Sequence, residues 1–236
     1  MYFKRTFSIG LLFIMTLSLS GCFSFFSGES KSGGSGTPKK VSASAEEVKA
    51  QLSLAAAYLM EGNYNSAMPE LMKAREMDPK NPDVENFFGL AYYGMKNYNQ
   101  AIESFKKALS FDSSRADVHN NLGLSYLALQ QYDQALAEFN TCLASPTYQK
   151  KHLPLSNIAL VYMETGRYDD ALNALNRATQ ENPSYAKAYQ QIGRIHLTRG
   201  NPQAALGALE KAMQLDPADP ETIALLEDAQ SRLRRR

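Results

Sequence analysis

The chain has 236 residues, with 25 basic and 24 acidic side chains and a net charge of +1. That balance supplies no electrostatic pull toward nucleic acid. Two cysteines, Cys22 and Cys142, give neither a disulfide framework nor a metal-ligand spacing. Helix formers dominate 46–233 and no period-2 alternation emerges, so the expected fold class is all-α.

The amino terminus has the layout of a secretory signal. Lys4 and Arg5 supply the positive start, and the apolar core runs from Phe7 to Leu19. It ends in Leu19-Ser20-Gly21-Cys22, which resembles the lipobox of bacterial lipoproteins. The resemblance implies that 1–21 is a signal peptide removed before Cys22, with diacylglycerol on the Cys22 sulfur and a third acyl chain on its new amine. Three acyl chains hold a protein at a bilayer far more firmly than one, which binds only marginally. The competing reading is an uncleaved membrane helix from Phe7 to Phe26, against which the serines, Gly21 and the place of the cysteine argue. Phe23 after the cysteine, where aspartate would retain a lipoprotein at the inner membrane, favours the periplasmic face of the outer membrane. Beyond the covalent lipid no cofactor is expected. Residues 22–47 then form the lipidated cysteine and a tether, of which Ser27 to Ala45 is rich in Gly, Ser and Lys and cannot bury apolar surface.

From residue 48 the sequence repeats itself. A small residue recurs as Ala55, Gly89, Gly123, Ala159 and Gly193, in steps of 34, 34, 36 and 34. Three positions on stand Tyr58, Tyr92, Tyr126, Tyr162 and, as a departure, His196. A second small position reads Ala67, Ala101, Ala135, Ala171 and Ala205, followed four residues later by Leu71, Phe105, Phe139, Leu175 and Leu209. Pro79, Pro183 and Pro217 close three of the units. This spacing resembles the tetratricopeptide repeat, a helix-turn-helix unit whose copies stack because none can bury its apolar stripe alone. The expected architecture is a solenoid of five repeats, 48–81, 82–115, 116–151, 152–185 and 186–219, then a capping helix with a basic tail over 220–236. The position that usually carries tryptophan holds Gln51, Glu85, His119, Leu155 and Tyr189 instead.

The join after the third repeat carries two extra residues and reads Ser145-Pro146-Thr147-Tyr148-Gln149-Lys150-Lys151. Insertions in loops cost little, so drift explains it; a basic elbow bearing Tyr148, Lys150 and Lys151 is equally a candidate contact loop.

No convergent catalytic set is visible, and the chain does not read as an enzyme. His119, His152 and His196 sit in separate repeats without ligand spacing, so no metal site or small-molecule substrate is expected. Cys142 takes the place of Ala74, Ala108, Ala178 and Ala212 and reads as a packed, inert thiol.

The repeats offer a groove instead. First-helix residues three before, one after and four after the small position share a face, which lines the concave surface in this repeat class. The first row is Leu52, Asn86, Asn120, Ser156, Gln190; the second is Ala56, Leu90, Leu124, Leu160, Arg194; the third is Leu59, Tyr93, Leu127, Met163, Leu197. Peptide-clamping repeats often place asparagine in the second row, whereas here leucine stands there three times running. An apolar stripe of this kind reads as a site for an amphipathic helix or apolar segment of a protein partner. Asn86, Asn120 and Gln190 are expected as its polar edge and Arg194 as a cation at its far end.

A lipobox, a short tether, a tetratricopeptide array and the Ser145-Pro146-Thr147-Tyr148 elbow together resemble the type IV pilus pilotins, the PilF, PilW and Tgl group. The resemblance implies an outer-membrane lipoprotein that binds the secretin subunit and promotes its assembly into a ring. The alternative is a lipoprotein scaffold for cell-wall enzymes or another envelope complex.

Overall fold

The computed structural model describes residues 45–235, so the expected signal peptide, Cys22 and nearly all of the tether lie outside the described residues. Eleven helices and no strand occur among those described. They fall into pairs: α1 (Ala45–Met60) with α2 (Tyr64–Met77), α3 (Pro82–Gly94) with α4 (Tyr98–Phe111), and α5 (Ala116–Ala128) with α6 (Tyr132–Ala144). α7 (His152–Glu164) follows with α8 (Tyr168–Glu181), then α9 (Ala186–Thr198) with α10 (Pro202–Leu215), and α11 (Pro220–Arg234) stands alone after them. Ala45, Glu46 and Glu47, expected in the tether, form the first turn of α1. Two carboxylates there suit the positive end of a helix, which explains the earlier start.

Each first helix packs on its own second helix, and each second helix on the next first helix. First helices also meet directly, α1 on α3, α3 on α5, α5 on α7 and α9 on α11. The small positions explain how the pairs close. A Cβ placed on Gly89 would lie 2.4 Å from the Phe105 ring, on Gly123 2.6 Å from Phe139, and on Gly193 2.5 Å from Leu209. Ala55 and Ala159 fill the same slot in the other repeats and are fully buried. The aromatic or leucine of the second helix therefore seats directly on the backbone of the first.

Between the helices of every pair one residue turns the chain with positive φ: Gly62, Lys96, Gln130, Gly166 and Gly200. Three are glycine, as the left-handed region favours, and two are not. Two of the repeat boundaries are capped by side chains: Asn81 accepts from the Asp83 amide at 2.9 Å and Asp219 from the Thr222 amide at 2.9 Å. The expected closing prolines each follow a second helix, immediately after Asp78, Asn182 and Asp216.

The stack ends differently at its two sides. α11 buries Thr222 and Ala229 against the fifth repeat, yet carries exposed Glu227 at the position of Gly193 thirty-four residues earlier. A glutamate there blocks the close seat a further second helix would need. α11 is a cap.

Candidate partner-binding face

The second and third rows of the first-helix face lie where their spacing places them. Leu90, Leu124 and Leu160 are each partly buried and partly open. Leu90, Tyr93, Leu124, Leu127 and Met163 rest against the main apolar core while keeping one side accessible. Tyr93 is held edge-on to Tyr98, with ring centroids 5.4 Å apart, and burial raises its pKa. Successive repeats thus present a broken apolar strip, each element anchored from behind.

The first row is not the polar edge expected of it. Asn86 and Asn120 are buried at 5% and 7% exposure, and Gln190 at 1%. Each instead bonds to the next first helix. Asn121 Nδ2 donates to Asn86 Oδ1 at 3.2 Å, and Asn157 Nδ2 donates to Asn120 Oδ1 at 3.0 Å. Ser156 Oγ donates to Gln191 Oε1 at 2.7 Å, and Gln190 Nε2 donates to Thr222 Oγ1 at 3.0 Å and also to Asp219. The row is a polar ladder joining repeats, because adjacent first helices approach closely enough to cover it. Gln190 Oε1 is buried without a hydrogen-bond partner.

Arg194, expected as a cation at the strip's end, is paired rather than free. Its guanidinium is paired with Glu221 on α11, which also takes Lys187 at 3.0 Å. One carboxylate therefore ties two cations of the fifth repeat to the cap.

The elbow likewise turns inward at its aromatic. The half-buried Tyr148 lies against the buried Cys142 sulfur, and burial pushes the tyrosine up to about 12. Burial pushes the Cys142 thiol up to about 11, which leaves it protonated and unreactive at neutral pH. Tyr148 pins the seven-residue linker between α6 and α7 rather than being presented by it. Lys150 is exposed and Lys151 half-buried at the start of α7, so the contact loop reduces to its lysines.

The tryptophan position holds a feature the spacing did not reveal. In the first three repeats its polar residues reach across to a second helix. Gln51 bonds to Glu70, Lys107 Nζ donates to Glu85 Oε1 at 2.7 Å, and His119 Nδ1 lies 2.6 Å from Glu138 Oε2. Glu85 is only 2% exposed and has a second cation, Arg75, at 3.7 Å. Arg75 in turn lies over the Phe88 ring, 4.1 Å from its centroid. Arg75, Glu85 and Lys107, with Tyr92, Gln100, Glu103 and Ser104, line a cleft of about 200 Å³. The signal was the run Gln51, Glu85, His119, three polar residues at one core position. In the fourth repeat that position reverts to buried Leu155. Among the described residues no three metal-ligating side chains converge, and no helix is long and apolar enough to cross a membrane.

Comparison with known proteins agrees with this architecture. Family models described as tetratricopeptide repeat match 48–81, 89–130, 116–145 and 157–220. The Hsp70-Hsp90 organizing protein of Triticum aestivum is 35% identical over 78 residues, covering 33% of this chain and 13% of that protein. Heat shock protein STI1 of Saccharomyces cerevisiae is 34% identical over 68 residues, covering 29% and 12%. The chain thus spans about an eighth of the length of these relatives. Among solved structures it is similar to PilW, a widely conserved type IV pilus biogenesis factor, with a TM-score of 0.73 at 23% identity over 81% of this chain and 87% of that one. PilF of Pseudomonas aeruginosa gives 0.70 at 20% identity over 79% and 88%. A tetratricopeptide-repeat protein of Thermus thermophilus gives 0.66 at 19% identity over 79% and 98%. At these identities the likeness establishes the fold. Repeat spacing, seated glycines, left-handed turns and matching models converge: the chain is a tetratricopeptide-repeat protein, built on a fold whose work is protein–protein contact.

Proposed function

We propose that this protein is an outer-membrane lipoprotein, anchored through lipid on Cys22 at the periplasmic face, that binds a secretin subunit and aids its assembly during type IV pilus biogenesis. The observation that carries this reading is the likeness to PilW over 81% of this chain and 87% of that one. The lipobox-like Leu19-Ser20-Gly21-Cys22 supports the anchor, since it stands upstream of an array of the same extent. The partly open strip of Leu90, Tyr93, Leu124, Leu127, Leu160 and Met163 is the surface offered to an apolar segment of the partner. The protein has no catalytic role in this account and takes no cofactor.

The strip is tested by Leu124→Arg. Leu124 is partly open, so the arginine can reach solvent and helical circular dichroism should not change. Secretin recovered with the protein from solubilised envelope should fall by about tenfold or more, the loss of one buried apolar anchor. Unchanged recovery removes the strip from the account. Recovery of murein synthases or hydrolases in place of a secretin would favour the scaffold reading. Cys22→Ser should leave a folded protein that no longer takes up labelled fatty acid or sediments with membranes; continued sedimentation would point to an uncleaved amino-terminal helix.

A further inference from the structure

Interior first helices share a face that the preceding repeat covers. On α3 it is Val84, Phe88 and Ala91, all at 1% exposure or less beneath α1 and α2. On α5 the same positions are Val118, Leu122 and Ser125, again fully buried. On α1 they are Ala50, Leu54 and Ala57, and all three are exposed, Leu54 at 43%. Among the described residues nothing precedes α1 to cover them. The helix nevertheless keeps the apolar character of a covered face over two turns, spaced i, i+4, i+7. Glu46 and Glu61, both exposed, continue this stripe by one turn at either end.

We infer that this face of α1 is a second docking surface, separate from the leucine strip, and that it receives an amphipathic helix of another protein with basic residues near both ends of its apolar ridge. A helix is the indicated occupant because helices cover the equivalent face at every interior boundary described above. The acidic ends set the charge of the occupant, since an apolar ridge with lysine or arginine one turn beyond each end meets Glu46 and Glu61. The same charges disfavour a second copy of this chain. Antiparallel pairing about Leu54 sets Glu46 of one copy beside Glu61 of the other, and parallel pairing sets each glutamate against itself. Head-to-tail stacking is closed off by α11, where Glu227 stands in place of the small residue.

The test is site-specific photocrosslinking in the host cells, with benzoyl-phenylalanine replacing Leu54 in the full-length chain and, as a control, replacing exposed Asn173 on α8. The adduct is digested and its peptide sequenced. The expected result is an adduct at position 54, absent at 173, to a peptide of a different protein with apolar residues at helical spacing flanked by Lys or Arg. The pair Glu46→Lys and Glu61→Lys should lower its yield by roughly tenfold. Lys211→Glu, on exposed α10 surface well away from α1, should leave the yield unchanged. Adducts to lipid or to this chain itself, equal yield at 173, or indifference to the charge reversals would each overturn the inference. Leu124→Arg should leave the adduct at 54 in place, so failure of the leucine strip and failure of this face are separately visible.

Discussion

Asn157 on α7 donates its side-chain amide to the Asn120 carbonyl on α5 at 3.0 Å, across the one repeat boundary that is two residues longer than the others. The same kind of bond joins Asn121 to Asn86 at the boundary before it. The insertion is therefore absorbed entirely within the elbow, and the stacking of first helices is unchanged. Asn157→Ala would leave a buried acceptor without its donor, at a cost of about 1–3 kcal/mol. Urea denaturation should show that loss, while partner recovery, normalised to folded protein, stays unchanged. A selective loss of partner at constant stability would return Asn120 to the binding surface.

Lys96 and Gln130 hold the left-handed turn at φ 61° and 57°, where the first, fourth and fifth repeats use glycine. A side chain in that region costs about 1–2 kcal/mol, and glycine's extra freedom in the unfolded chain returns part of it. Lys96→Gly and Gln130→Gly should each raise stability by roughly 0.5–1 kcal/mol. Differential scanning calorimetry on the single and double variants would check the sign and the additivity.

Two glycines in helices should respond oppositely to alanine. Alanine is favoured over glycine in a helix by about 1 kcal/mol. At Gly207 on α10 an added Cβ meets nothing within 4 Å, so Gly207→Ala should stabilise by nearly that amount, about 0.5–1 kcal/mol. At Gly123 the Cβ would fall 2.6 Å from the Phe139 ring, which is fully buried and cannot swing away. Overpacking costs ~1–3 kcal/mol and outweighs the propensity gain. Gly123→Ala should therefore unfold at lower urea than the parent, and equal midpoints would refute the tight seat.

Desolvation lowers the pKa of His152 and of His196 below the ordinary 6.5, assisted by Lys150 and Arg199 respectively. In the unfolded chain both return to about 6.5, so that state binds more protons as pH falls. Their contribution is present above about pH 6.5 and is lost as pH drops through the folded values. The urea midpoint should decline between about pH 7.5 and 5.5, and the slope should flatten in the His152→Gln, His196→Gln double variant. An unaltered slope would place the titrating groups elsewhere.

In a Cys22→Ser chain Cys142 is the sole thiol. Fully buried, and with its pKa raised to about 11, it should react with a maleimide at least about a hundredfold more slowly in buffer than in urea. Tyr148→Phe removes the hydroxyl that closes over the sulfur, and should speed the native reaction without changing the reaction in urea.

Much of the fold could be read from the residues because stacking imposes a fixed demand on each unit. Ala135 and Phe139 recur at their spacing since a second helix must seat on a first, and the structure shows that seat at Gly123. The partner face was legible only in part. Helical spacing gives the angle at which Asn86, Asn120 and Gln190 leave their helix, and that angle was right. It does not give the distance to the next first helix, and that distance covers them. Tyr148 was misplaced for a related reason. A tyrosine in a loop looks available until its neighbour in space is known, and Cys142 lies six residues back on another element. Ala50, Leu54 and Ala57 escaped notice because each is ordinary in isolation, and only comparison with Val84, Phe88 and Ala91 marks them.

Glu227 has a bearing on how such a chain can change in length. An array of near-identical units grows most simply by duplicating one of them, and interior boundaries would accept a copy because the helix on either side already expects a neighbour of that shape. Beyond α11 no copy could be added without first restoring a glycine or alanine at 227. New units therefore fit better within the array, or ahead of α1 whose open face already has the pattern of a covered one, than beyond α11.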